Sequence, residues 1–247
     1  MSSSRFALCL ALFVAALPSA VAADTVLDSR IGNTAPYLTK DRSAEIALAR
    51  TAAPSYISAD AAVYLLGTHG YEKVADGTNG WVCMVGHSFD AFFNDSEFWL
   101  PENRSPVCLN APAVATVLPF FVQRSKWVMA GDSIGEMIAK TKAAVADGTF
   151  KDPAPGSFSL MMSKRGYLNH AHGPWHPHVM FFVASRDIKN WGASDVQGTP
   201  ALGTAVLSAD NGPLEPALTF IVVKRWSDGS LDLPPPSTSM APETMPM

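Results

Sequence analysis

Charge and cysteine are both scarce in this chain of 247 residues. Only 16% of the residues are charged, 18 Lys and Arg against 22 Asp and Glu, and there are three cysteines. No basic stripe and no arginine-rich run occurs, so the footprint needed to neutralise a phosphate backbone is missing and nucleic acid is excluded as a partner. A Gly-rich phosphate loop and a dinucleotide fingerprint are also missing. Cys-x-x-Cys does not occur, which argues against a redox-catalytic pair. The longest apolar run, Phe6 to Leu17, is too short to hold a stable membrane anchor.

What stands at the N-terminus reads as an export signal. Arg5 supplies a short positive region, Phe6 to Leu17 the apolar region, and Ser19-Ala20-Val21-Ala22-Ala23 the small residues for cleavage after Ala22 or Ala23. Residues 1–22 are therefore expected to be a signal peptide, and the protein to be periplasmic or secreted. Loss of Arg5 moves the formal net charge from -4 to -5. Cys9 leaves with the leader, and Cys83 and Cys108 remain as an even pair. In an oxidising compartment such a pair is expected to form one disulfide. A hydrophobic content of 48% with six tryptophans predicts a packed domain over residues 24–232. The stretch 233–247 begins Leu233-Pro234-Pro235-Pro236, lacks apolar periodicity and is expected to be a disordered tail rich in Pro and Met.

Asp41 or Ser43 can cap a helix through Ala44 to Ala52 that Pro54 stops. Ala61 to Leu66, Tyr71 to Val74 and Trp81 to Val85 read as three short antiparallel strands. The turn dipeptides Asp76-Gly77 and Asn79-Gly80 lie between the second and the third. Asp90 to Asn110 reads as a loop whose Phe92, Phe93, Phe98 and Trp99 pack on the body. Asn110 can cap a helix at Ala111-Pro112 that Pro119 kinks or breaks. Ser133-Ile134-Gly135-Glu136 is a capping box opening a helix that Gly148 ends, with Ile134, Met137, Ile138, Thr141 and Val145 on one face. Ser157 to Met162, Val179 to Ala184 and Leu218 to Trp226 are strand-like. Strands, then helices, then strands, without β-α alternation, predict an α+β fold. Its mainly antiparallel sheet carries a helical segment inserted between two groups of strands.

Four of the six histidines fall in one short segment, His170-Ala171-His172-Gly173-Pro174-Trp175-His176-Pro177-His178. Neutral imidazole is the commonest metal ligand and the usual proton carrier near neutral pH. Pro177 favours an extended backbone at His176, and side chains two apart on a strand share a face, so His176 and His178 are expected to pinch one metal ion. His170 and His172 can complete the set across the Gly173-Pro174 turn, with His69 and His87 more distant candidates. Three protein ligands suit a catalytic zinc and four a structural one, while sulfur from Met161, Met162 or Met180 favours copper. No acid lies near the segment, so the carboxylate that orients a ligating imidazole has to arrive from elsewhere in the fold. A solvated histidine loop accounts for the same residues without any metal, and no cofactor is certain.

Gly86-His87-Ser88 follows a strand as a hydrolase nucleophile elbow does. The glycine required two residues after the serine is Asp90 instead, so a polar strand end is the better reading. Asp187 with Asp195, and Asp95, Glu97 and Glu102, have no spacing that enforces a shared site. Lys164-Arg165-Gly166-Tyr167 is a small basic turn.

Four segments carry a resemblance: Glu45-Ile46-Ala47-Leu48-Ala49, Gly77-Thr78-Asn79-Gly80 with Cys83, Met161-Met162-Ser163-Lys164, and Trp175-His176-Pro177-His178-Val179-Met180. Together they resemble a group of uncharacterised exported bacterial proteins, over most of the mature chain. The resemblance implies export and assigns no activity. The leading expectation is an exported binding or accessory protein with a small-molecule or protein partner. Its rival is a metal-dependent hydrolase on the His170 to His178 segment, with zinc or copper and a bound water as nucleophile.

Overall fold

The computed structural model describes residues 26–168, 175–184, 186, 187, 190, 201–202 and 217–232. The expected leader, the expected tail, His170 and His172 lie outside them. Eight described strands form one sheet: β1 (Ala62–Gly67), β2 (Gly70–Ala75), β3 (Val82–Gly86), β4 (Ser105–Leu109), β5 (Phe158–Met161), β6 (His178–Val183), β7 (Ala201–Leu202) and β8 (Ala217–Val222). Their order across the sheet is β2-β1-β3-β4-β5-β6-β8-β7. Helices α1 (Arg42–Arg50) and α2 (Ser55–Ser58) precede the strands, while α3 (Ala111–Thr116), α4 (Leu118–Met129) and α5 (Ile134–Ala146) separate β1–β4 from β5–β8. The chain is α+β with a mainly antiparallel sheet, as its segment order implies.

One expectation fails. β3 pairs with β1 in parallel, so the first three strands are not an antiparallel meander. Residues 76–80 do not turn β2 directly into a neighbour. They cross beneath the start of β1, where Thr78 N donates to Asp60 O at 2.8 Å and Ala62 N to Trp81 O at 2.9 Å. The crossing is tight enough to require glycine, since a Cβ on Gly77 would lie 2.1 Å from Ala62 N. The turn dipeptides mark a sharp reversal, but not which side of β1 the next strand joins.

Sequence reading also misses β4, which lies inside the expected loop. Pro106 disguises it, because proline donates no ladder hydrogen bond. Pro106 faces Val85 of β3, and it sits beyond the Cys108 and Leu109 pairs that join β4 to β5.

The helix signals are realised. Asp41 accepts from Ala44 N at 2.9 Å, Asn110 accepts from Ala113 N at 3.2 Å, and Ser133 and Glu136 form the reciprocal box. Pro119 separates α3 from α4 at Val117. On α5, Ile134, Met137, Ile138 and Thr141 are buried, but Val145 is 46% exposed.

Both faces of the sheet are covered. Met84, Leu109 and Met161 pack with Val128 of α4 and Met137 of α5. Cys83, Cys108, Val63 and Leu160 pack with Ala49 and Ala52 on the other face, beneath α1. Every residue of β3 and β4 is buried. Cys83 and Cys108 stand directly opposite in the β3–β4 register and form a disulfide. The aromatic loop packs on the body: Phe93 stacks with Phe98 at 5.8 Å, and buried Arg124 of α4 lies 4.2 Å above the Phe93 ring while donating to Ala91 O at 2.8 Å.

Bridging residues 25 apart should stabilise the fold by about 3 kcal/mol in the chain-entropy account. A Cys83→Ala/Cys108→Ala variant is expected to unfold at a correspondingly lower urea midpoint, and to lose the sensitivity to reductant that the parent shows. Equal midpoints for the two proteins would show that the bridge adds nothing.

Candidate functional site

Strand directions bring the polar chemistry of the chain to one edge of the sheet. The C-terminal ends of β3 and β5 and the N-terminal ends of β4 and β6 share this edge, so His87, Arg104 and His178 all lie along it. They do not form one cluster. β3 and β6 are three strand spacings apart, about 14 Å.

The β3–β4 group is buried. His87 is 3% exposed and rests among Tyr37, Tyr71 and Phe89, with ring centroids 5.4 to 6.1 Å away. Arg104 Nη1 donates to His87 Nδ1 at 3.2 Å. A guanidinium only donates, so Nδ1 is the acceptor and the ring proton of neutral His87 is on Nε2. Burial, and secondarily the Arg104 charge, lower the His87 pKa to about 3. Asp90 accepts from His87 N at 2.9 Å and from the Tyr71 hydroxyl through the same oxygen. Burial, reinforced by the Asp90 carboxylate, raises the Tyr71 phenol well above its ordinary value. Ser88 Oγ is buried beside the Tyr37 phenol without a well-formed hydrogen bond. No described non-glycine residue has positive φ, so Ser88 lacks the strained backbone of a nucleophile elbow. The polar strand end expected from Asp90 is what forms.

Arg104 organises the surface above this group. Nη1 also donates to Pro101 O and Asn103 O, both at 2.8 Å, and Nη2 donates to Pro36 O at 3.1 Å. Its Nε lies 3.9 Å from Glu45 of α1, whose carboxyl pKa burial raises against the pull of Arg104. An open depression of about 390 Å³ lies outside, lined by Pro36, Pro101, Glu102 and Arg104. The association of Arg104 and Pro101 with Pro36 carries no sequence signal, because it joins two distant chain segments, with Arg104 68 residues after Pro36.

The β6 group holds the two described histidines of the expected metal segment. β6 begins at His178, so His176 is outside the strand and the two rings enter different surroundings. His178 is 9% exposed, with Trp175 edge-on at 6.0 Å, and donates from Nδ1 to His176 O at 2.7 Å. Burial lowers its pKa. The His176 side chain is 71% exposed and donates from Nδ1 to Asp232 Oδ2 at 2.6 Å, which directs Nε2 away from the carboxylate. Asp232 is the carboxylate on the His176 ring, and it comes from a distant part of the chain. It arrives through a hairpin turned at Asp228-Gly229, which pairs Asp232 N with Lys224 O at 2.9 Å. That Asp-Gly dipeptide was a usable signal.

The remaining candidates are dispersed. His69 is exposed in the β1–β2 turn, while Met161 and Met180 are core residues. Lys164 pairs with Asp228 at 2.8 Å, and Asp95 caps Glu97 N. Asp187 N closes a turn on Ala184 O, and Asp195 lies outside the described residues. Among the described residues no three His, Cys, Asp or Glu side chains converge as metal ligands. Comparison with family models, curated proteins and solved structures finds no match.

The buried imidazole makes stability pH-dependent with a definite sign. His87 titrates near 6.5 when unfolded and near 3 when folded, so between these values the unfolded chain binds more protons. Stability is therefore full above pH 6.5 and falls as pH drops towards 3, by up to about 1.4 kcal/mol per pH unit. A His87→Gln variant is expected to show a shallower loss in urea melts from pH 7 to pH 4. Parallel profiles for the two proteins would place the acid sensitivity elsewhere.

Proposed function

We propose that the chain is an exported binding or accessory protein working in the periplasm or outside the cell. Export is supported by the order of charged, apolar and small residues before Asp24, and by the bridged Cys83–Cys108 pair. The binding role is carried by one observation. Arg104 ties the carbonyls of Pro36, Pro101 and Asn103 together around a preformed depression. A surface held in this way loses little conformational entropy when a ligand arrives. The titratable groups behind it, His87 and Tyr71, are sealed and held neutral, so they support the wall and do not exchange protons with a bound molecule.

A second reading, a metal-dependent hydrolase on His170, His172, His176 and His178 with zinc or copper, is favoured by the Asp232–His176 hydrogen bond. A carboxylate on Nδ1 fixes the tautomer that presents Nε2 to a metal.

Protein recovered from the periplasm is expected to begin at Ala23 or Asp24 by N-terminal sequencing, whereas an intact Met1 in the cytoplasm would overturn export. Untagged protein is expected to gain thermal stability with a soluble ligand from a small-molecule panel. Metal analysis separates the two readings. Near-stoichiometric zinc or copper, with affinity reduced about 10- to 100-fold in Asp232→Asn, would favour the hydrolase. Metal-free protein that still responds to a panel ligand supports the binding role.

A further inference from the structure

Six large hydrophobic side chains are exposed among the described residues. Three of them, Ile221, Val222 and Leu231, belong to the end of β8 and the hairpin that follows it, closed by the Arg225–Leu231 bridge. Their exposures are 49, 63 and 49%. Single exposed apolar residues are ordinary, whereas a concentration in one short segment marks a contact surface. Ile221 and Val222 are consecutive in a paired strand, so they point to opposite faces of the sheet. Both faces of this strand end are therefore open.

Cations gather at the same corner. Lys224 and Arg225 follow β8 directly and are exposed. The basic turn Lys164-Arg165 is brought against the hairpin by the Ser227 N to Met162 O hydrogen bond at 2.9 Å and by the Lys164–Asp228 ion pair at 2.8 Å. The corner thus holds four cations and two carboxylates, in a chain whose formal net charge is -4. Both carboxylates are engaged, Asp228 by Lys164 and Asp232 by the His176 ring. Among the described residues, Arg225 donates to the Gly229 carbonyl, and neither Arg165 nor Lys224 has an ion-pair partner.

Uncompensated cations beside exposed apolar side chains match a lipid interface with anionic headgroups. The cations meet the phosphates, and the apolar groups enter the acyl boundary. A folded protein partner offers a stiff surface that covers one face of a strand, whereas a fluid interface can close around both. We propose that this corner docks the protein reversibly on anionic lipid bilayers. Ile221, Val222 and Leu231 enter the interface, and Arg165, Lys224 and Arg225 lie against the headgroups. The inference goes beyond the small-molecule role and uses neither the Arg104 depression nor metal at the histidines.

The test is co-sedimentation of the intact mature protein with vesicles of phosphatidylcholine, alone and with phosphatidylglycerol added. Binding is expected only with phosphatidylglycerol, and should fall at high salt, which screens the headgroup attraction. Each cation near an anionic surface contributes about fivefold to partitioning, so Arg165→Gln/Lys224→Gln is expected to bind about 25-fold more weakly. Ile221→Thr/Val222→Thr keeps β-branched side chains in the strand. It is expected to weaken binding about tenfold, since each methylene withdrawn from an apolar interface counts for about fourfold. Both variants change exposed side chains, and each is assayed under conditions where its urea melt shows it fully folded. Absence of sedimentation with phosphatidylglycerol vesicles overturns the proposal, as does binding that both variants retain in full. Capture on immobilised polyglutamate without vesicle binding would assign the corner to an acidic protein partner and overturn the lipid reading. The small-molecule role stands or falls separately, on the ligand panel.

Discussion

The β3–β4 pair carries the rest of the fold. All residues of the two strands are buried, since α1 closes one face and α4 with α5 close the other. A strand buried on both faces must satisfy every backbone polar group through its neighbours, which fixes its register. The five paired positions from Val82↔Leu109 to Gly86↔Ser105 do this, and the Cys83–Cys108 bridge locks the same alignment covalently. Full burial of each Val, Leu or Met side chain adds about 1.5 to 3 kcal/mol of transfer free energy. A one-residue slip would exchange the row of Met84 and Val107 with that of Cys83 and Cys108 between two differently shaped helical layers.

Functional geometry follows from that register. Because Gly86 stands opposite Ser105, the residues just beyond them, His87 and Arg104, are brought within hydrogen-bonding distance. A partly buried cation needs strong acceptors, and Arg104 finds backbone carbonyls in place of a close carboxylate. Those carbonyls belong to segments around Pro36 and Pro101 to Asn103, so meeting the needs of one guanidinium sets the shape of the adjacent surface. Arg124 does the same for the aromatic loop, using Phe89 O, Ala91 O and the Phe93 ring.

Local chemistry in the sequence reported local structure well. Asp41, Asn110, Ser133 and Glu136 each cap the helix start they imply, and Pro119 breaks the helix it interrupts. Non-local pairing was less legible. Gly77 and Gly80 mark sharp backbone change, but the choice between a hairpin and a crossing beneath β1 depends on packing around Asp60 and Ala62. β4 was hidden because burial on both faces removes the period-two alternation of a strand, and Pro106 adds a breaker. His176 and His178 lie at a strand entrance, but their rings do not share a face as the His-x-His spacing predicts. Their separate fates, one ring on Asp232 and the other in the core, depend on where β6 starts and on a hairpin 50 residues further along the chain.

Two histidine environments on one sheet edge show how position divides chemical roles. His87 has its acceptor nitrogen on a permanent cation and its ring among Tyr37, Tyr71 and Phe89, so protonation would bury a second positive charge beside the first. It holds structure. His176 is exposed, and its tautomer is set by a carboxylate whose own side chain is only 14% exposed. The shielded carboxylate on Nδ1 holds the proton of neutral His176 on that nitrogen. At the β3–β4 end the cation is anchored on carbonyls and the imidazole is kept neutral, whereas at the β6 end an exposed ring is held by a carboxylate.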